Sequence, residues 1–237
     1  MKIRESNKIR RSSPVFLAFL ALALGTPQVQ AAQCDHGAEA GVDWSGCRKR
    51  NLLLDGSNLA GAQLGEADFT STDLRNSSVE KANLSKAALV RSMFDNSRAM
   101  GANFEKAVGF RTSFAGTDLS GATFIKSEMQ RADFTKANLA GVDFKKSELG
   151  RAIFTGANIE GTSFSFANLA RADLRGATFH SPIDFTGAYF YLTRIENVDL
   201  SEATGISQWQ ADMSCGDSNT KLPADITTPQ TWPCQEE

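Results

Sequence analysis

The chain repeats a five-residue unit, as in Ala132-Asp133-Phe134-Thr135-Lys136 followed by Ala137-Asn138-Leu139-Ala140-Gly141. In both units Ala comes two positions before a large apolar residue, which we call the centre of the unit. Small and large residues alternate in this way from about Leu54 to Leu200. A short period sustained over that length predicts a solenoid, because each unit can bury its apolar face only against its neighbours.

The order of the aromatic centres predicts how many units complete one coil of the solenoid. Phenylalanine occupies every second centre over a long segment: Phe94, Phe104, Phe114, Phe124, Phe134, Phe144, Phe154 and Phe164. Four units per coil would place these residues on two opposite faces, where equivalent rings stack at the strand spacing of about 4.8 Å. Three units per coil would mix Phe with smaller centres on every face, so the pattern favours a four-sided coil.

Two centres depart from the pattern, because they are Ala99 and Gly109. Each is followed by an apolar residue, Met100 or Phe110. One interpretation is local repacking with those neighbours, and the other is a pocket in the third coil.

The units Ala82-Asn83-Leu84-Ser85-Lys86 and Ala157-Asn158-Ile159-Glu160-Gly161 resemble those of pentapeptide-repeat proteins. In that family Ala, then Asp or Asn, then Leu or Phe are followed by two variable residues. The resemblance implies an all-β fold, a right-handed quadrilateral β-helix. About 30 units, counted across a six-residue step at residues 180–182, give about 7.5 coils. We assign residues 52–205 to this solenoid.

Residues 1–31 are typical of a cleavable secretory signal peptide. A basic segment precedes the apolar run from Val15 to Leu24, which is too short to span a bilayer. Cleavage before Ala32 would remove five basic residues and one acidic residue, Glu5, and leave a net charge near −6. We therefore expect a periplasmic or secreted protein with no transmembrane segment.

The four cysteines lie outside the repeats, two before and two after them. An even number in an exported chain indicates disulfides. Bridged Cα atoms lie within about 7 Å, and the solenoid separates its ends by more than that, so we expect Cys34–Cys47 and Cys215–Cys234. A metal site of Cys34, His36 and Cys47 is the alternative, although it lacks a fourth ligand.

The flanking segments, 32–51 and 206–237, are predicted to cap the open ends that every solenoid has. Ser207 and Gln210 have the spacing of a capping box, and Gly216 can end a helix. This predicts a short helix from Gln208 to Cys215 that packs Trp209 on the last coil. Capped ends favour a monomer.

The corners of a four-sided coil carry one unusual feature, a basic stripe. Two sets of residues recur every 20 positions and would stack at adjacent corners: Arg91, Arg111, Arg131, Arg151 and Arg171, and Lys86, Lys106, Lys126 and Lys146. Lys81 and Lys136 lie at the other corners. The stripe is interpreted either as a solvated ladder paired with Glu128, Glu148 and Asp143, or as an anion-binding site, since Arg suits phosphate and carboxylate.

No catalytic constellation, phosphate loop, metal site or cofactor site is indicated by the sequence. Asp and Asn before the centres are explained by turn formation. We therefore expect a non-enzymatic exported scaffold or binding module of the bacterial envelope. Its partner would be a protein or an anionic envelope polymer, with no nucleic acid. The alternative, which the wider family suggests, is a DNA-mimic regulator of topoisomerase.

Overall fold

A computed structural model describes residues 32–180 and 182–234 of the chain. The predicted signal peptide, residues 1–31, lies outside these ranges. The β structure consists of isolated parallel bridges between residues 20 apart, so that Asp133 pairs with Ser113 in the preceding coil and with Ile153 in the next one. An offset of 20 residues equals four five-residue units, which confirms the four-sided coil.

The bridges extend beyond the segment assigned to the solenoid at both ends. Asp43 pairs with Gln63 and Arg48 pairs with Asp68, inside the segment assigned to the N-terminal cap. At the other end, Arg194 pairs with Cys215. Across residues 180–182 the offset becomes 21 residues, as in Ser163 with Asp184. This change confirms the predicted six-residue step.

Side chains of Asp and Asn before the centres form the predicted turns. The Asp133 carboxylate accepts a hydrogen bond of 2.8 Å from the backbone N–H of Thr135, and Asn103 accepts one of 2.9 Å from that of Glu105. Such bonds satisfy backbone donors where the chain leaves each face. These residues are therefore part of the repeat structure.

The core contains the two predicted stacks of phenylalanine rings. Phe134 lies parallel to Phe114 and Phe154, with ring centroids 5.2 and 5.1 Å away. It also meets Phe124 and Phe144 of the other stack edge to face, at 5.9 and 5.5 Å. Both arrangements are favourable for aromatic pairs, and all five side chains are fully buried.

The space beside Gly109 is filled from the next coil. A Cβ atom added to Gly109 would lie against the Met129 side chain and 2.7 Å from Oγ1 of Thr112. Met129 is fully buried, and so is Ala99. The side chain of Met129 therefore fills the space that a large residue at position 109 would occupy. The predicted neighbour Phe110 does not fill it.

A lysine closes the N-terminal end of the core. Lys49 occupies a centre position and is buried, with its Nζ 3.6 Å from the ring centroid of Trp44. The same ammonium group donates a hydrogen bond of 2.6 Å to the carbonyl of Cys34. Burial lowers the pKa of Lys49 below its ordinary value, while Asp35 opposes that change.

The C-terminal helix is shorter than predicted. Helix α1, Gln208–Met213, begins with the expected capping box between Ser207 and Gln210. It does not reach Cys215, and Gly216 does not end it. The reason is that Cys215 joins the ladder opposite Arg194, which takes the chain out of the helix.

The predicted packing of Trp209 on the last coil is confirmed only in part, because its ring centroid lies 6.1 Å from that of Tyr189 while the residue stays 57% exposed. The buried residues of α1 are Gln210 and Ala211. Nε2 of Gln210 donates hydrogen bonds to the carbonyls of Phe185 and Ala188, at 2.9 and 3.1 Å. A side-chain amide suits this position because it satisfies carbonyls at the end of the ladder.

Both predicted disulfides are present. Cys34–Cys47 and Cys215–Cys234 have Cα–Cα distances of 5.4 and 5.3 Å. The first disulfide includes both cysteines of the alternative metal site, so that alternative is wrong.

Among the residues that the structure describes, no helix has the length and hydropathy of a membrane span.

Candidate functional site: a basic face of the solenoid

The two basic sets predicted from the sequence border one face of the solenoid. The chain runs from Lys86 at one corner, through the bridge residue Ala88, to Arg91 at the next corner. The same path recurs 20 residues later, since Ala88 pairs with Val108. We call this surface the basic face, with a lysine corner (Lys86, Lys106, Lys126, Lys146) and an arginine corner (Arg91, Arg111, Arg131, Arg151, Arg171).

Each corner residue has left-handed backbone dihedrals. The φ angles at the arginine corner are 57° to 61°, and Lys86 has a φ of 57°. Other corners use glycine for the same turn, for example Gly121 and Gly141 at 66° and 68°. Glycine adopts this conformation without steric cost. The fold therefore accepts arginine at these positions but does not require it.

Four members of the arginine corner are exposed and have no carboxylate partner in the part of the chain that the structure describes. In residues 32–180 and 182–234, no Asp or Glu oxygen lies within 4.0 Å of Arg91, Arg111, Arg131 or Arg151. Phe110 lies between two of them, with its ring centroid 5.3 Å from Cζ of Arg111 and 5.9 Å from Cζ of Arg131. An aromatic face supports a guanidinium group without neutralising its charge.

The lysine corner is partly paired. Lys86 binds Glu66 at 2.7 Å, and Lys106 binds Glu105 at 2.9 Å. Hydrogen bonding to Glu66 raises the pKa of Lys86, and hydrogen bonding to Lys106 lowers the pKa of Glu105. Exposed pairs of this kind contribute little to stability.

The predicted pairing of the stripe with Glu128, Glu148 and Asp143 does not occur among the described residues. Glu148 instead accepts a hydrogen bond of 2.8 Å from Asn168, and Asp143 accepts one of 2.8 Å from the backbone N–H of Lys145. Glu128 and Glu148 pair with each other in the ladder, so they lie one above the other along the middle of the basic face.

Sequence reasoning missed an aromatic group at the C-terminal end of this face. Tyr189 pairs with Asn168 in the ladder, and its ring centroid lies 6.3 Å from that of Tyr191 and 6.1 Å from that of Trp209. We call these three residues the aromatic end. The sequence does contain a sign of this group. Tyr189 and Tyr191 flank the centre Phe190, at positions where small or polar residues are usual.

The basic face carries its charged groups in rows along the solenoid. Its charged groups are spread along an exposed face, and the described residues include no group of three or more His, Cys, Asp and Glu side chains that could hold a metal ion. A row of cations at the coil spacing of about 4.8 Å can contact a linear anion at several points.

Comparison with known families is consistent with the observed coil. A model of the pentapeptide repeat region matches residues 127–204, and one of pentapeptide repeats in eight copies matches 53–89 and 67–105. The chain is a pentapeptide-repeat protein, and that membership implies the right hand of its quadrilateral β-helix. No curated protein matched the chain.

Several solved structures resemble this one loosely. HetL, a pentapeptide-repeat protein involved in heterocyst differentiation regulation in Nostoc sp. strain PCC 7120, is 20% identical over 78% of this chain and 84% of its own, with a TM-score of 0.28. Full-length QnrB1, a plasmid-mediated fluoroquinolone resistance protein, is 18% identical over 76% and 86%, with a TM-score of 0.34. A pentapeptide-repeat protein from the Arabidopsis thaliana thylakoid lumen is 25% identical over 54% and 71%, with a TM-score of 0.25.

Proposed function

We propose that this protein is a non-enzymatic, exported binding module of the bacterial envelope that holds an extended polyanion on its basic face. The observation that carries the proposal is the arginine corner, where Arg91, Arg111, Arg131 and Arg151 stack in register without carboxylate partners among the described residues. Arginine offers paired N–H donors to phosphate and carboxylate groups.

Export is supported by two observations of different kinds. The sequence of residues 1–31 has the features of a signal peptide. The mature part carries the disulfides Cys34–Cys47 and Cys215–Cys234, and such bonds persist in oxidising compartments. An envelope polymer is therefore a more accessible ligand than cytoplasmic nucleic acid.

Mimicry of DNA by a topoisomerase regulator is disfavoured by the charge of the surface. Such a mimic would present an acidic rod, whereas the basic face presents two rows of cations. The two ends of the core are also covered, because Lys49 lies against Trp44 at one end and Gln210 binds two carbonyls at the other. Covered ends support a monomer.

Removing charge from the arginine corner tests this function. The variant Arg111→Gln, Arg131→Gln, Arg151→Gln should bind polygalacturonate and inorganic polyphosphate at least about ten-fold more weakly than the parent, because three contacts of about 0.5–1 kcal/mol are lost. Affinities would be measured by biolayer interferometry at low and moderate salt. Parent binding should fall with salt, since the screening length shortens to about 8 Å at 0.15 M.

The matched control is Lys81→Gln with Lys136→Gln, which removes positive charge at other corners. This control should retain most of the parent affinity. Equal binding by the parent and the triple variant, for both polymers, would show that the arginine corner is only a solvated surface.

A further inference from the structure

The aromatic end is unusually exposed for large side chains. Exposed fractions are 41% for Tyr189, 45% for Tyr191 and 57% for Trp209. The rings of Tyr189 and Tyr191 are nearly parallel, with an interplanar angle of 10°, and Trp209 is tilted by 38° to Tyr189. A contiguous exposed group of aromatic rings on a monomer commonly marks an interaction site.

The aromatic end is continuous with the basic face. Tyr189 follows Glu148 and Asn168 along the middle of that face. The guanidinium carbon of Arg171 lies 5.8 Å from the ring centroid of Tyr191, so the arginine corner runs directly into the aromatic end. One extended ligand can therefore contact both.

Packing does not account for this exposure. Another exposed aromatic residue, Phe166, has a structural role, because its ring covers Gly187, where an added Cβ would lie 2.7 Å from it. Tyr189 has no such role at its position, since the equivalent residues of earlier coils are Ala88, Val108 and Asn168. Those residues form the same bridges without a ring.

From these contacts we infer that the polyanion is an acidic polysaccharide, whose sugar rings pack on Tyr189, Tyr191 and Trp209 while its carboxylates meet the arginine corner. This inference rests on the proposed function. The C–H face of a pyranose ring is apolar and matches the face of an aromatic ring, and the hydroxyls of tyrosine supply hydrogen bonds at the edge.

The acidic pair in the middle of the basic face favours a glycan over a nucleic acid. Carboxylates of Glu128 and Glu148 can accept hydrogen bonds from sugar hydroxyls. They would repel closely spaced phosphates more than widely spaced carboxylates, so a nucleic acid or polyphosphate should bind more weakly than an acidic glycan. A polysaccharide carries its charges farther apart and offers hydroxyls between them.

The test compares two sets of variants on two polymers. Trp209→Ala with Tyr191→Ala should weaken binding of polygalacturonate about ten-fold, the size of a lost aromatic contact. The same variant should bind inorganic polyphosphate as the parent does, because Arg91, Arg111, Arg131 and Arg151 do not contact the substituted rings. Leu53→Ala is the matched control, since Leu53 is 86% exposed on another face, and it should bind both polymers normally.

The outcomes separate this inference from the proposed function. If the aromatic variant binds polygalacturonate like the parent while the arginine variant does not, the aromatic site is wrong and the polyanion function stands. If the arginine variant also binds both polymers like the parent, the proposed function fails. Tighter binding of single-stranded poly(dT) than of polygalacturonate would overturn the glycan assignment. Circular dichroism would confirm that each variant is folded.

Discussion

Single phenylalanines in the core are expected to contribute strongly to the stability of the coil. Phe134 contacts four other rings in two orientations, so Phe134→Ala should lower the free energy of unfolding by about 3–5 kcal/mol. Ser120→Ala, at a half-buried position, should change it by less than about 0.5 kcal/mol. Urea denaturation measures both. Parent-like unfolding of Phe134→Ala would contradict the stacked core.

Residue patterns predicted the regular part of the core and missed its exceptions. The ten-residue period of phenylalanine was sufficient to place two stacks, because ring size repeats with the coil. The filling of the space at Gly109 by Met129 was not predictable in this way. A flexible methionine can reach into a neighbouring coil, whereas the repeat pattern describes each unit separately.

At the scale of elements, the C-terminal cap depends on close packing between Gly216 and Trp232. A Cβ on Gly216 would lie 2.5 Å from the Trp232 ring, whose Nε1 donates a hydrogen bond of 2.8 Å to the carbonyl of Ser214. Gly216→Ala should therefore displace the ring and destabilise the protein by about 1–3 kcal/mol. Gly37→Ala, which meets no atom within 4 Å, is the control.

Thermal unfolding followed by tryptophan fluorescence would measure this effect. An unchanged midpoint for Gly216→Ala would show that Trp232 does not hold the cap.

The start of helix α1 was predictable, because a capping box is local in sequence. Its end was not, because the ladder partner Arg194 lies far from Cys215 in the chain.

For the whole molecule, the period of the sequence predicted the architecture, and the spacing of 20 residues predicted the basic face. The aromatic end was missed because Trp209 comes from α1 while Tyr189 and Tyr191 come from the last coils. Only the fold brings those two segments together. Tyr189 and Tyr191 depart visibly from the repeat, but no short motif in the sequence joins them to Trp209.

The last prediction concerns export and oxidation of the whole chain. Material recovered from the periplasm or medium should begin near Ala32, and its intact mass should fall short of the reduced chain by four hydrogens, two for each disulfide. The bridges close loops with sequence separations of 13 and 19 residues, and each should stabilise its end of the solenoid by about 2–4 kcal/mol. The double variant Cys34→Ser, Cys47→Ser should lack the first disulfide and be less stable by about 2–4 kcal/mol. The second disulfide should still form. Full-length cytoplasmic protein with four free thiols would contradict export, and with it the access to an envelope polymer on which the proposed function of the basic face depends.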